Sequence, residues 1–290
     1  MLDTVNSPQP PRLTLSGLLD GFTTEVTTRD DASIRDIAKT LAPGSHVFIA
    51  SLPKDKAERQ VEAAVRLADA GMVPVPHIVA RNLTDRAALD SLLGDLVRRA
   101  GVTQALVLAG DRDDPAGEYS AALDLLQSGC FQEHGLRSIR LSAYPEGHPR
   151  ISDEALTKAR ADKLAAAEAA GLEVELVSQF CFEAQPVLDY AEALRAAGVT
   201  APFRVGVAGP ADRKTLLKYA MICGVGPSLR ALKERQDLAR NVMSGETPQG
   251  LLQDLADGLN DRPGLGISGI HFFTFSSLRQ TADWVAGARI

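Results

Sequence analysis

The chain has 290 residues, 45% of them hydrophobic and 23% charged, enough for one large core and within the length usual for a single α/β barrel. Its net charge of −6, with Lys and Arg scattered through helical stretches, excludes the basic stripe that nucleic acid requires. Cys130, Cys181 and Cys223 form no CxxC pair or Cys/His spacing suited to zinc. With no long apolar run and no secretory leader pattern, a cytoplasmic protein with reduced thiols, no metal and no membrane partner is expected.

Residues 1–15, rich in Pro and Ser, are expected to form an arm ahead of a folded unit over 16–290. From there short β-branched or apolar runs alternate with longer amphipathic segments, the pattern of parallel strands joined by helical crossovers. The strands expected in chain order are Phe22 to Thr27, His46 to Ser51, Val73 to Ala80, Gln104 to Gly110, Ser138 to Pro145, Val174 to Phe182, Phe203 to Gly209 and Gly269 to Phe275. Between them, Val61, Ala64, Val65 and Ala68, then Leu89, Leu92, Leu93 and Leu96, have the spacing of buried helical stripes. Thr84 and Ser152 stand where N-caps are expected, and Gly71, Gly101, Gly171 and Gly198 where helices should stop. Two helical segments between Gly224 and Asn260 imply an extra helix before the last strand. Eight such units fit a closed (β/α)8 TIM barrel of the α/β class better than an open sheet.

A barrel places its site at the C-terminal ends of the strands. Glu25, His77, Asp111, Tyr144, His148 and Gln179 all fall near that end. A strand packed on both faces should be apolar, so a Glu within FTTEVTT or a Gln within VSQFCF needs a polar lumen to face. A ligand cavity follows. Taken singly, each residue also has a plain reading: Glu25 as an ion-paired lumen carboxylate, His77 as a core histidine, Asp111 with Asp113 and Asp114 as a solvated acidic loop.

Several ordered motifs resemble the methylenetetrahydrofolate reductase family. Ala-Tyr-Pro-Glu-Gly-His-Pro at 143–149 is close to the family's wording at the end of strand five. Leu-Ala-Gly-Asp at 108–111, Ser-Gln-Phe-Cys-Phe at 178–182, Pro76-His77 and Gly-Ile-His-Phe-Phe-Thr-Phe at 269–275 are similar to other family segments. The resemblance implies a flavoenzyme of one-carbon metabolism and methionine biosynthesis. It would reduce 5,10-methylenetetrahydrofolate to 5-methyltetrahydrofolate in a ping-pong scheme through FAD, with NADH or NADPH as donor. Carried over by position, Glu25 is the general acid and Asp111 the carboxylate near flavin and pterin. Gln179 offers donor and acceptor to the pterin, and Arg279 is a further folate contact. His77, Gly110, Asp111, Tyr119, Ser120, Tyr144, His148 and Lys163 match FAD-contacting positions.

The chain departs from the family at Ala109, where Arg is usual, at Ala50 to Pro53, where a Thr-Tyr pair is usual, and at Arg213 and Ser277. These departures motivate two alternatives: a flavin-independent reductase of the same folate, or a non-redox folate-binding partner of a methyltransferase. No dinucleotide fingerprint chooses between NADH and NADPH. Homo-oligomerisation through outer helices is left open.

Overall fold

The structure is a computed structural model that describes residues 12–52, 55–223 and 247–290. Eight parallel strands close into a barrel in sequence order. They are β1 (Thr23–Thr27), β2 (His46–Ala50), β3 (Val73–Val79), β4 (Gln104–Leu108), β5 (Ser138–Ala143), β6 (Glu173–Ser178), β7 (Phe203–Ala208) and β8 (Ile267–Phe273). Each lies within a few residues of its expected place, and most end earlier because their last residues leave the hydrogen-bonded ladder to form the loops at the rim. The crossover helices are α3 (Ala57–Asp69), α4 (Arg86–Ala100), α7 (Asp153–Ala169), α8 (Ala184–Ala196), α9 (Arg213–Ile222), α10 (Gln249–Asp261) and α11 (Leu278–Ala288). Shorter helices are α1 (Leu15–Leu18), α2 (Asp31–Arg35), α5 (Ala122–Gln127) and α6 (Cys130–Glu133).

The apolar stripes read from the sequence are the faces that pack on the barrel. Val61, Ala64, Leu89, Leu92, Leu93 and Leu96 are buried in one continuous core between helices and strands. Ser152 caps α7 by accepting from the Ala155 N–H at 3.3 Å. The cap of α4 is Asp85 rather than Thr84: its carboxylate accepts from the Ala88 N–H at 2.8 Å, while the Thr84 hydroxyl bonds Asp85. A carboxylate suits the positive end of a helix better than a hydroxyl, and the register moves by one residue. The seventh crossover carries both α9 and α10. The turn at Gly224 and the helical segment expected just after it lie outside the described residues, as do Pro53 and the Arg213 side chain.

At the N-terminal end of the lumen, where α/β barrels are normally closed by side chains, the strands carry charge. Glu175 of β6 bonds Arg140 of β5 at 3.3 Å and Arg204 of β7 at 3.0 Å, and all three side chains are nearly buried. A bulge between β7 and β8 makes room for this cluster. It releases Ser268 to donate to Glu175 at 2.7 Å and sets Gly269 at φ +142, where a Cβ would run into the Arg204 guanidinium. Burial lowers the pKa of Arg140, with Glu175 acting against it, and burial together with Arg140 and Arg204 lowers that of His46. One carboxylate therefore holds two nearly buried guanidiniums in the wall of a cavity at this end of the barrel. Glu175→Gln is expected to cost about 3 kcal/mol of unfolding free energy, because the two arginines are left to repel one another. Urea denaturation of both proteins checks this, and a difference below about 0.5 kcal/mol would show the cluster to be solvated.

Candidate active site

At the opposite end of the strands lies a cavity of about 370 Å³, within the range of small-molecule sites. Glu25 from β1, His77 from β3, Ser142 and Tyr144 at the end of β5, Ser178 and Gln179 at the end of β6, and His271 and Phe273 from β8 line it. Gly110 and Asp111 close one side after β4. Its floor is the lumen layer of Phe48, Val75, Leu106 and Val177, with Phe48 packed against His271 at 4.4 Å and His77 at 6.2 Å between ring centres.

Glu25 is drawn inward by barrel geometry. Its neighbours in the ladder fix β1 between β2, where Glu25 pairs with Phe48, and β8, where Thr23 pairs with His271. Thr274 then donates to the Glu25 carbonyl at 2.8 Å. The carboxyl meets no cation: burial, opposed by His77 and reinforced by Asp30, raises its pKa from 4.5 to about 7. The two histidines stay neutral for the same reason, with burial lowering His77 to about 4 and His271 to about 3. His271 lies 4.0 Å from the Glu25 carboxyl and is held at its other ring nitrogen by Thr23 at 2.8 Å. His77 is fixed through its backbone carbonyl, which accepts from Gln60 at 2.8 Å. Its Nε2 is buried in the cavity wall without a hydrogen-bond partner among the described residues, a polar atom available to a ligand.

Gly110 has φ +99, and a Cβ there would run into Val79. Only glycine lets the chain turn Asp111 over the mouth at this point. Across the mouth Phe275 and Ser276 hold positive φ of 50° and 64°, an uncommon conformation for side-chain-bearing residues that tends to mark functional sites. The turn stacks Phe275 on Tyr219 at 4.6 Å and 28°. Cys223 also lines the cavity, but burial, with Glu25 and Asp111 nearby, pushes its thiol up to about 12.

The fold thus brings together Glu25, His77, Gly110, Asp111, Tyr144 and Gln179 of the residues expected from sequence. His148 stands beside Tyr144, with ring centres 5.2 Å apart, and its Nδ1 accepts from the Arg150 N–H. The other four stand outside the cavity lining. Tyr119 is buried in the main core. Ser120 spends its N–H and hydroxyl on Asp124. Lys163 is half-buried on α7, and Arg279 is exposed on α11, 3.6 Å from Asp283. His271 and Asp30 were not anticipated. A lone His in an apolar strand reads as core, although the same alternation that exposed Glu25 places His271 on the lumen face. Away from the cavity, Asp90, Cys130 and Glu133 lie close enough to share an ion, but Asp90 already bonds His134 and Glu133 already bonds Arg86.

FAD requires both a slot for its planar ring and a cradle for its diphosphate and adenosine. Residues suited to the ring are gathered around His77, Gly110, Asp111 and Tyr144, whereas those for the diphosphate and adenosine are not. Among the described residues lining the cavity there is no Lys or Arg, and Ala109 lines it where Arg is usual in the family the sequence resembles. In the loops around the mouth, Arg81 is committed to the carbonyls of Ser120 and Arg112, and Arg150 to Asp113. The described residues do not make up a site for the whole of FAD.

A (β/α)8 barrel with a protonatable carboxyl in a mainly apolar cavity of small-molecule size at the C-terminal ends of its strands defines a class of small-molecule enzyme. The family is settled by sequence: residues 48–282 match the methylenetetrahydrofolate reductase family model, and the chain belongs to that family. It is accordingly a folate enzyme of the reductase class. The match starts at Phe48, so Glu25 lies outside it and adjoins it through the ladder between β1 and β2, where Glu25 pairs with Phe48. Among solved structures, dihydropteroate synthase (FolP) from Thermus thermophilus is similar over 96% of this chain and 98% of its own, at 13% identity and TM-score 0.47, a likeness too distant to speak to function. Among the described residues, no helix is long and apolar enough to cross a membrane.

The sign of the Glu25 effect on stability follows from its raised pKa. Between about 4.5 and about 7 the unfolded chain ionises at this group while the folded chain does not, so stability falls as pH rises through that window and stays lower above it. The histidines act oppositely, withdrawing stability as pH falls below 6.5 towards their folded values. Glu25→Gln should therefore stabilise the protein at pH 8 by up to about 3 kcal/mol relative to its effect at pH 4.5. Urea melts at the two pH values test it, and an equal effect at both would show that the carboxyl is solvated.

Proposed function

We propose that this protein reduces 5,10-methylenetetrahydrofolate to 5-methyltetrahydrofolate with electrons drawn from NADH or NADPH. The single observation that carries the reading is Glu25, a carboxyl held near pKa 7 in the wall of a cavity that also holds Asp111 and Gln179. Opening the imidazolidine ring of the folate requires a proton on the departing nitrogen, and an acid poised near neutrality is suited to deliver it. The one-carbon unit is then left as a cationic iminium on the other nitrogen.

The rest of the cavity favours that cation. Asp30 and Asp111 supply carboxylates, the histidines remain neutral, and no described lining residue is Lys or Arg. Gln179 can match a pterin edge because its amide both donates and accepts; its oxygen already accepts from the Phe180 N–H at 3.1 Å, which turns the NH2 group outward. His77 Nε2 offers a further polar contact. The resemblance implies a ping-pong route through FAD, and the family is generally flavin-associated. The steps assigned here involve only this chain's residues: holding the pterin, excluding water, protonating at Glu25 and stabilising the iminium. A one-carbon enzyme with these substrates belongs in the cytoplasm and in methionine supply, which is part of the proposal.

Folate-dependent oxidation of NADH by purified protein is the direct test. Glu25→Gln should lower kcat by at least about 100-fold with the folate Kd little changed, since the general acid acts in the transition state. Equal loss of binding and turnover would remove Glu25 from the acid role. For wild type, kcat/KM for the folate should fall about tenfold per pH unit above pH 7, as the proton is lost. A profile flat to pH 9 would contradict this. Asp111→Asn should slow turnover roughly 10-fold or more by withdrawing charge from the iminium, and an unchanged kcat would place Asp111 outside the reaction.

A further inference from the structure

Granting the reductase reading, we infer that hydride passes directly from the C4 of a dihydronicotinamide to the folate iminium in this cavity, without a resident flavin. Three independent observations converge on this. The first is charge. The described lining contains Glu25, Asp30 and Asp111 and no Lys or Arg, so two phosphates held close to it would meet carboxylates and no fixed cation. A resident cofactor has to bind tightly enough to survive every turnover, which calls for neutralisation of its diphosphate; an exchanging donor needs only its reactive ring held while its phosphates stay in water.

The second is that the loops beside the cavity are packed against one another. The loop after β4 lies along the loop after β3: Arg81 N–H donates to the Ala109 carbonyl at 2.9 Å, Ala116 N–H to Arg81 at 3.0 Å, and Glu118 N–H to Thr84 at 3.1 Å. Gly117 sits so close to the Thr84 carbonyl that no side chain could replace its hydrogen. Arg81 and Arg150, whose guanidiniums could have met a diphosphate, are turned onto loop carbonyls and Asp113.

The third is the shape and polarity of what remains. Apolar surface from Val79, Leu108, Phe273 and Phe275 faces a space of about 370 Å³, suited to a pterin with one further small ring laid against it. As the reaction proceeds the nicotinamide becomes cationic, and Asp30 and Asp111 favour that change.

The chemistry balances. Glu25 gives its proton to the departing folate nitrogen, whose bond to the one-carbon unit breaks with the electron pair going to nitrogen. The C4–H bond of the dihydronicotinamide then breaks, and hydride forms the new C–H bond of the methyl group. NADH or NADPH is oxidised by two electrons, the methylene is reduced by two, and Glu25 recovers its proton from water.

The test uses the purified full chain with two readouts. In turnover with NADH deuterated at one or the other C4 position, one isomer should place one deuterium per product methyl group, and reaction of unlabelled NADH in D2O should place none. A flavin route would instead lose the label, because the N5 hydrogen of a reduced flavin exchanges with water, and solvent deuterium would enter the methyl group; that result overturns the inference. In parallel, equilibrium dialysis against FAD should show no saturable binding up to roughly 10 µM, whereas a sub-micromolar Kd overturns the inference whether or not turnover is seen. Absence of folate-dependent NADH oxidation, with FAD still unbound, would count against the reductase reading while leaving the flavin result standing.

Discussion

Closure of β1 onto β8 is the constraint on which the site depends. Glu25 is remote in sequence from every other polar residue of the cavity except its loop neighbours, and the family match does not reach it. It arrives because Thr23 and Thr24 pair with His271 and Phe272 while Glu25 pairs with Phe48 on the other side. In a closed barrel alternate residues of each strand face the lumen, so this register commits Glu25 to a space enclosed by seven other strands. An open sheet would leave β1 as an edge, where water would solvate the carboxyl and return its pKa to the ordinary range.

The lumen handles charge differently at its two ends. Near the N-terminal ends of the strands, Arg140, Glu175 and Arg204 compensate one another with direct bonds. Near the C-terminal ends Glu25 has no such partner, and the neighbouring histidines are driven neutral by burial. A layer of Phe48, Val75, Leu106 and Val177 separates the two, so the arginines below do not reach Glu25. A compensated cluster fixes structure, whereas an uncompensated carboxyl keeps its proton and can give it away.

The strand order and helical faces could be read from the chain because local periodicity reports which side of an element meets the core. Strand ends were less legible, since apolar residues such as Phe180 and Phe182 continue the strand pattern after β6 has left the ladder at Ser178. Tyr119 shows the limit: its place beside Ser120 in a motif gives no sign that the ring turns inward to the core. His271 shows the converse. A charged or polar residue in an apolar strand was the signal that drew notice to Glu25 and Gln179, and applied evenly it also marks Arg140, Glu175, Arg204 and His271.

By itself the sequence determined the eight-unit repeat, the family and the presence of a carboxyl within the first strand, because these rest on apolar spacing and on short contiguous motifs. Only the tertiary structure decided which polar residues share a cavity and in what protonation state. It brought His271 to 4.0 Å from Glu25 and tied Arg81 and Arg150 to the loop after β4. Those outcomes depend on register, burial and the distance between groups far apart in the chain, quantities that no local pattern of residues contains.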